Sequence, residues 1–393
     1  MEKEKSLMNR SVNRRSLFKT GALAGGAVAI GAGLTGTAAS VFADESKSRV
    51  TKGDIAILTF LSALEQVEAD LWIQYAELGG ATNQGLSPID IPFKTGLAPD
   101  YITGLLVLDG DMPQYIADNT DDEISHHRFL NNYLQSKGAK PIDLSSFAIL
   151  PPSAVTGVPQ NGRLTNLKQL TIDTSWWTRN RSETQNPDLG GTFENAVPDL
   201  AKGQHPAIPV SDADLGVDKS GNISTHLQAI ANTAGFHFAF IEQGGSSLYP
   251  SLAQNVTDVE VLRVLLSIGG SEIMHFQTWS DKAGNATNIT DGNLTFPNLN
   301  SGIDPNTGVQ SVAAADSFQT NLIMPEPTIF LDPKLGPVSI VRPTSIAQGG
   351  AVASVVSFAQ DGLFIDPATG KNTGIVDALM RLAEAADEAR RGL

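Results

Sequence analysis

Twice in this chain a glutamate stands three residues ahead of a histidine, as Glu123-Ile124-Ser125-His126 and as Glu272-Ile273-Met274-His275. On a helix that spacing sets both side chains on one face about one turn apart, where a carboxylate and an imidazole can hold the same metal ion. The second pair lies inside LRVLLSIGGSEIMHFQTWSDK, residues 262–282, which has a helical period. With six histidines in the chain, about a quarter of one such pair is expected at random, so two on separate predicted helices form a signal. Two Glu-x-x-His helices call for two further helices, each supplying a carboxylate, to complete a dinuclear centre inside a four-helix bundle.

Those helices can be read off the pattern. Helix one runs from Asp54, an N-cap, through IAILTFLSALEQVEADLWIQYAEL to Gly79-Gly80, with Leu61, Leu64, Glu68, Leu71 and Tyr75 at i, i+3, i+4 spacing. A carboxylate on a core stripe is unfavourable unless something pairs with it. Glu68 is the first candidate, and Glu65, one turn earlier and nearer the stripe's edge, is the alternate. Helix two runs from near Asp111 to Lys137, with Pro113 in its first turn and Gly138 closing it. Thr120-x-x-Glu123 also matches a capping box that would start the helix at Asp121. His127, four residues after Glu123, competes with His126, which is chosen by symmetry with His275.

Helix three opens near Ser224 and ends at Gly244-Gly245; Glu242, its only acid, follows Phe238 on the apolar face, and His226 and His237 read as non-ligands. Helix four starts at the capping box Thr257-Asp258-Val259-Glu260 and ends at Gly284. Gly269-Gly270 interrupts it, at about 1 kcal/mol per glycine relative to alanine, and reads either as a place for close helix approach or a bulge, or as plain drift.

Helix one's carboxylate, Glu123, Glu242 and Glu272, with His126 and His275, balance two divalent cations in charge. The cations offset what a buried carboxylate cluster would otherwise cost. Oxygen and imidazole donors suit Fe or Mn, and Zn would also bind. The excess of acid, 42 Asp and Glu against 27 Lys and Arg for a net charge of −15, argues against nucleic acid and anionic membranes and favours small cations as partners. The absence of cysteine excludes thiolate ligands and disulfides.

Residues 1–43 read as a twin-arginine export signal: Asn13-Arg14-Arg15-Ser16-Leu17-Phe18-Lys19, then a Gly/Ala-rich apolar run, then Val41-Phe42-Ala43 suited to cleavage before Asp44. Export in the folded state lets a metal be loaded beforehand. It places the mature chain in the periplasm or cell envelope with no stable membrane insertion. From about 139 to 222 no amphipathic period appears, so short helices and turns across the bundle's end, or a cap over it, are expected, with Trp176-Trp177, Arg179 and Arg181 either anchoring the segment to the core, the favoured reading, or binding a ligand or partner. Residues 285–393 read as an irregular extension. It has Asn-x-Thr turn chemistry at Asn285, Asn288 and Asn293, strands at Thr328–Leu331 and Val338–Val341, a small-residue helix at Ile346–Phe364, and an amphipathic helix at Gly374–Arg391. Its expected roles are packing, a lid, or contact in a homo-oligomer.

The order Glu, Glu-x-x-His, Glu, Glu-x-x-His resembles the ferritin-like superfamily. The segments LEQVEADLWIQY and DDEISHHRFLNNYLQSKG are similar to exported ferritin-like domain proteins that include the desiccation-related family. The resemblance covers 53–284 apart from the insert. It implies a mainly α fold: a ferritin-like four-helix bundle with a long insert between helices two and three and an irregular C-terminal extension ending in a helix. It further implies that Glu123 and Glu272 bridge two metals, that Glu68 and Glu242 are terminal ligands, and that His126 and His275 bind one metal each. The insert argues against a spherical storage shell. The function expected on this basis is an exported di-iron or di-manganese protein that oxidises Fe(II) with O2, or removes peroxide, under oxidative or drying stress. Two rivals stand beside it: a non-enzymatic envelope protein with a structural or vestigial metal, and a substrate oxygenase, which requires an apolar pocket at the metals.

Overall fold

Asp54 is the residue from which the bundle is laid out. Its carboxylate accepts hydrogen bonds from the Thr51 N–H and hydroxyl, both at 2.9 Å, while the Thr51 hydroxyl accepts from the Asp54 N–H at 3.0 Å. Helix α1 (Lys52–Gly79) is therefore capped by Thr51, with Asp54 at the third position of a capping box and not at the N-cap as the pattern suggested. The same carboxylate takes the Thr257 N–H at 2.8 Å, which ties the start of α1 to the segment leading into the last bundle helix. This computed structural model describes residues 50–81, 93–342 and 350–392. The export segment read over residues 1–43, and residues 346–349 of the small-residue helix, lie outside them.

Helix α2 (Pro99–Leu108) follows. It was missed in the sequence, although Pro at its first position and buried Tyr101, Leu105 and Leu108 at i, i+4, i+7 are sound helix signals. Helix α3 spans Met112–Ser136, as expected. The alternative start at Asp121 is overturned, because the Thr120 hydroxyl donates back to the Ile116 carbonyl at 2.7 Å in mid-helix and Glu123 is buried.

Helix α4 (Ser175–Arg181) is the one α-helix described in the insert, which otherwise consists of 3-10 turns and isolated bridges. Trp176 and Trp177 are buried, with ring centroids 6.0 and 6.1 Å from Phe236, so the pair anchors the insert on the bundle.

Helix α5 runs Thr225–Ala253, straight through Gly244-Gly245, where the sequence pattern suggested its end. Neither glycine adopts the left-handed backbone that would stop a helix, and the next residues Ser246–Tyr249 are buried. Helix α6 (Val259–Ala283) is capped by Asp258 in place of Thr257, its carboxylate accepting the Glu260 and Val261 N–H groups at 2.8 and 3.1 Å. Gly269 serves close approach: a Cβ there would lie 2.7 Å from Tyr249 Cβ on α5. Gly270 meets nothing within 4 Å.

The four long helices pack as two pairs, α1 with α3 and α5 with α6. Helices α1 and α5 are buried on most of their surface because other elements cover their outer faces, α2 against α5 and the C-terminal helix against α1. That is why both read as apolar nearly all round. Beyond α6 come a hairpin of β1 (Ile289–Asp291) and β2 (Leu294–Phe296) turning at Gly292, then α7 (Val312–Phe318). The expected strands shrink to the two-residue pair β3 (Thr328–Ile329) and β4 (Pro337–Val338). Helix α8 (Ala351–Asp361), the hairpin β5 (Ile365–Asp366) and β6 (Lys371–Asn372), and α9 (Ile375–Asp387) complete the chain. Among the described residues the molecule is thus mainly helical with a few short strands.

Candidate metal centre

Each bundle helix brings polar groups to one level of the core. Helix α1 carries Glu65 and Glu68; α3 carries Asn119, Glu123 and His126 at i, i+4, i+7; α5 carries Glu242; and α6 carries Glu272, His275 and Trp279 at i, i+3, i+7. Glu123 and Glu272 are fully buried, Glu65 and Glu242 are 1% exposed, and the two histidines are 8% and 9% exposed.

Two clusters result. Glu65, Glu123, His126 and Glu272 form the first, and Glu123, Glu242, Glu272 and His275 the second; within each, one donor atom per residue lies within 4.8 Å of all the others. The clusters share Glu123 and Glu272. His126 Nδ1 lies 3.3, 3.1 and 3.2 Å from oxygens of Glu65, Glu123 and Glu272. His275 Nδ1 lies 3.1 and 3.2 Å from oxygens of Glu123 and Glu242.

Of the residues named from the sequence, Glu123, His126, Glu242, Glu272 and His275 come together, and on α1 it is the alternate, Glu65, that contributes an oxygen. Glu68 is buried one turn on and belongs to neither cluster, though it lies in their field. Burial first, and then the carboxylates Glu272, Glu65, Glu123 and Glu242, hold its carboxyl well above the usual range. Between the neighbouring histidines, His126 faces the cluster, while burial and Arg128 push His127 down to about 4. His226 and His237 stand apart: His226 bonds Asp291, and His237 bonds Tyr75 and pairs with Asp361.

The electrostatics are those of a site short of cations. Burial, then Glu123 and Glu65, raise the Glu272 carboxyl well above its ordinary value. Burial raises Glu242 against the opposing pull of His275. Burial works against charge on both histidines, but the surrounding carboxylates outweigh it and raise both. Among the described residues Glu272 Oε2 is buried with no partner, and Glu272 Oε1 and Glu65 Oε2 make no hydrogen bond and have only His126 Nδ1 beside them, at 3.2 and 3.3 Å. Such orphaned acceptors are rare and unfavourable, by roughly 1–3 kcal/mol or more each for a charged group. Gly245 marks how tightly the space is filled, since a Cβ there would collide with Glu272 Oε2. Four carboxylates and two imidazoles converging with unpartnered oxygens fit a pair of divalent ions, which would satisfy those acceptors and offset their charge.

Several supporting residues escaped the sequence pattern. Asn119 donates from Nδ2 to Glu123 at 2.8 Å and Glu242 at 2.9 Å, and accepts from Trp279 Nε1 at 2.7 Å. Outer ring nitrogens are held by Asp122, 3.0 Å from His275 Nε2, and by the Ser271 hydroxyl, 3.1 Å from His126 Nε2. The Tyr249 hydroxyl donates to Glu65. Asn119 and Trp279 were detectable, each being four residues from a named ligand on the same helix face. Tyr249 is hidden in the pattern because Gly244-Gly245 suggests a helix end before it. On the outer side of His126 a groove of about 690 Å³ opens, lined by Phe129, Tyr133, Val264, Ile268 and Ser271 among others.

A family model described as the ferritin-like domain matches residues 53–284 of this chain. No curated protein and no solved structure matches it.

Proposed function

This chain belongs to the ferritin-like domain family, and from that premise we propose that its two linked clusters hold a pair of iron or manganese ions in an exported protein that oxidises Fe(II) or removes peroxide under stress. The observation that carries the reading is the sharing of Glu123 and Glu272 between two four-residue donor sets. Glu123 and Glu272, common to both sets, would help to hold both ions. Glu65, with His126, and Glu242, with His275, would each close one side. Glu68 remains the other carboxylate that α1 offers, one turn from Glu65.

When bound, the pair would pass electrons from Fe(II) to O2, or from one peroxide, oxidised to O2, to another, reduced to water. The protein's own groups keep the ligands in place for it. Asp122 accepts the Nε2 proton of His275, which fixes the tautomer and turns the Nδ1 lone pair inward. Ser271 bonds the outer nitrogen of His126 in the corresponding place. Asn119 orients Glu123 and Glu242 together, and Tyr249 restrains Glu65. The groove beside His126 gives small molecules an approach from solvent. Export to the periplasm or envelope is supported by the Arg14-Arg15 segment, and the stress role by the resemblance to desiccation-related proteins.

One observation favours a second reading, oxidation of a small organic substrate. The groove is walled by Phe129, Tyr133, Val264 and Ile268, and its volume is in the range of ligand pockets. Aerobic Fe(II) oxidation and peroxide consumption by the purified protein, each compared with Glu272→Gln, test the first reading. Turnover lost in the variant is the expected outcome. A metal-loaded protein that turns over neither Fe(II) nor peroxide would leave the organic-substrate or structural reading in its place.

A further inference from the structure

The insert and the C-terminal extension enclose a second cavity with chemistry of the opposite sign. It has a volume of about 590 Å³ and lies where α4, α5 and α8 meet, lined by Arg179, Gln243, Thr192, Ser251, Ser357 and Phe358 among others. None of its described lining residues is acidic, in a chain where Asp and Glu outnumber Lys and Arg by 42 to 27.

Arg179 is the group that calls for a ligand. It is 5% exposed, and among the described residues its five N–H donors make one hydrogen bond, from Nη2 to Gln243 Oε1 at 3.0 Å. Its Nε is buried with no partner. Burial pulls its pKa down, with the field of Asp173 in partial opposition. A guanidinium left this way is costly to bury, and its planar fork matches carboxylate or phosphate oxygens. Gln243, whose oxygen accepts from Arg179, lies on the same wall and carries an amide N–H pair that can donate to an anion. The hydroxyls of Thr192, Ser251 and Ser357 suit a hydroxylated body, and the Phe358 ring offers it an apolar face.

We propose that this cavity binds a small organic anion, a polyol bearing a phosphate or carboxylate group, with the anionic group seated on Arg179 and Gln243 and the hydroxyls on the serine and threonine side chains. Placing this ligand depends on neither the metals nor their chemistry. It gives the insert and the extension a shared purpose that anchoring alone does not.

The test is calorimetric titration of the purified, metal-containing full chain with glycerol 3-phosphate, gluconate, inorganic phosphate and sorbitol at matched ionic strength. One of the two charged polyols should bind one per chain, at least tenfold more tightly than sorbitol or inorganic phosphate, and which one it is separates phosphate from carboxylate. Arg179→Gln should weaken that binding at least tenfold, and Arg179→Lys less. Ser357→Phe fills the cavity and leaves Arg179 in place; it should abolish binding, and it serves as the deciding variant should Arg179→Gln fail to fold. The inference is overturned if neither charged polyol binds below about 10 mM, a free energy under roughly 3 kcal/mol. It is equally overturned if binding persists unchanged in both Arg179→Gln and Ser357→Phe.

Discussion

Glu272 sits fully buried with neither carboxylate oxygen hydrogen-bonded and Oε2 without any partner, and Gly245 across from it has no room for even a methyl group. This pair makes a sharp residue-scale prediction. Gly245→Ala should displace the Glu272 carboxylate, lose at least one equivalent of metal and destabilise the protein by about 1–3 kcal/mol; metal analysis and thermal denaturation check both. Glu272→Gln should act in opposite directions in two states. In metal-free protein it removes one of several crowded carboxylates and should raise the melting temperature, whereas in metal-loaded protein it should lower it. The same sign in both states would deny the carboxylate a metal partner. Glu65→Gln and Glu68→Gln compared side by side decide which α1 carboxylate matters, with loss of metal expected in the Glu65 variant. At this scale the Glu and His positions were legible because helical spacing alone puts them on one face. The choice between Glu65 and Glu68 was not, since both lie within one turn of the same stripe and only the neighbours on α3, α5 and α6 separate them.

Elements were legible where a cap or a clean period marks them, and misread where packing overrode the local signal. Helices α3 and α6 fell where the sequence put them because proline and aspartate fix their starts. Helix α5 ran past its glycines because Gly245 leaves room for Glu272 of α6 and Gly244 lies against Phe358 of α8, purposes that only the folded neighbours reveal. Helix α2 went unseen as a ten-residue piece between turns. Asp54 joins two elements, accepting from Thr51 at one helix start and from Thr257 at another. Asp54→Ala should therefore destabilise by about 1.5–3 kcal/mol, the range for hydrogen bonds to a charged group, measured by denaturant titration. A pH effect belongs to this scale too. The hydrogen bond from His226 to Asp291 of β1, at 2.7 Å, raises the histidine above its usual value. A raised histidine contributes stability that is complete below its unfolded pKa and disappears as pH climbs through the folded one. Between about pH 6 and pH 9 the wild type should thus lose more melting temperature than His226→Gln, and the two curves should converge at the alkaline end.

For the whole molecule, the mainly helical, ferritin-like architecture was readable from the order of four acid-bearing helices. The insert was readable only as irregular and the extension only in its last two helices, because turns and two-residue strands leave no period in a sequence. If the core holds metals, their binding energy adds to folding stability by mass action. Chelation should then lower the melting temperature and make it depend on free metal concentration, while a chain that folds without metals would melt alike with and without the chelator. The most direct measurement is the metal content of protein purified without added metal, by mass spectrometry against protein concentration. Two equivalents of iron or manganese per chain are expected, falling to one or fewer in Glu123→Gln and in Glu272→Gln. A wild-type protein free of bound metal after exposure to Fe(II) or Mn(II), or one whose metal survives both substitutions, would contradict the shared-carboxylate centre.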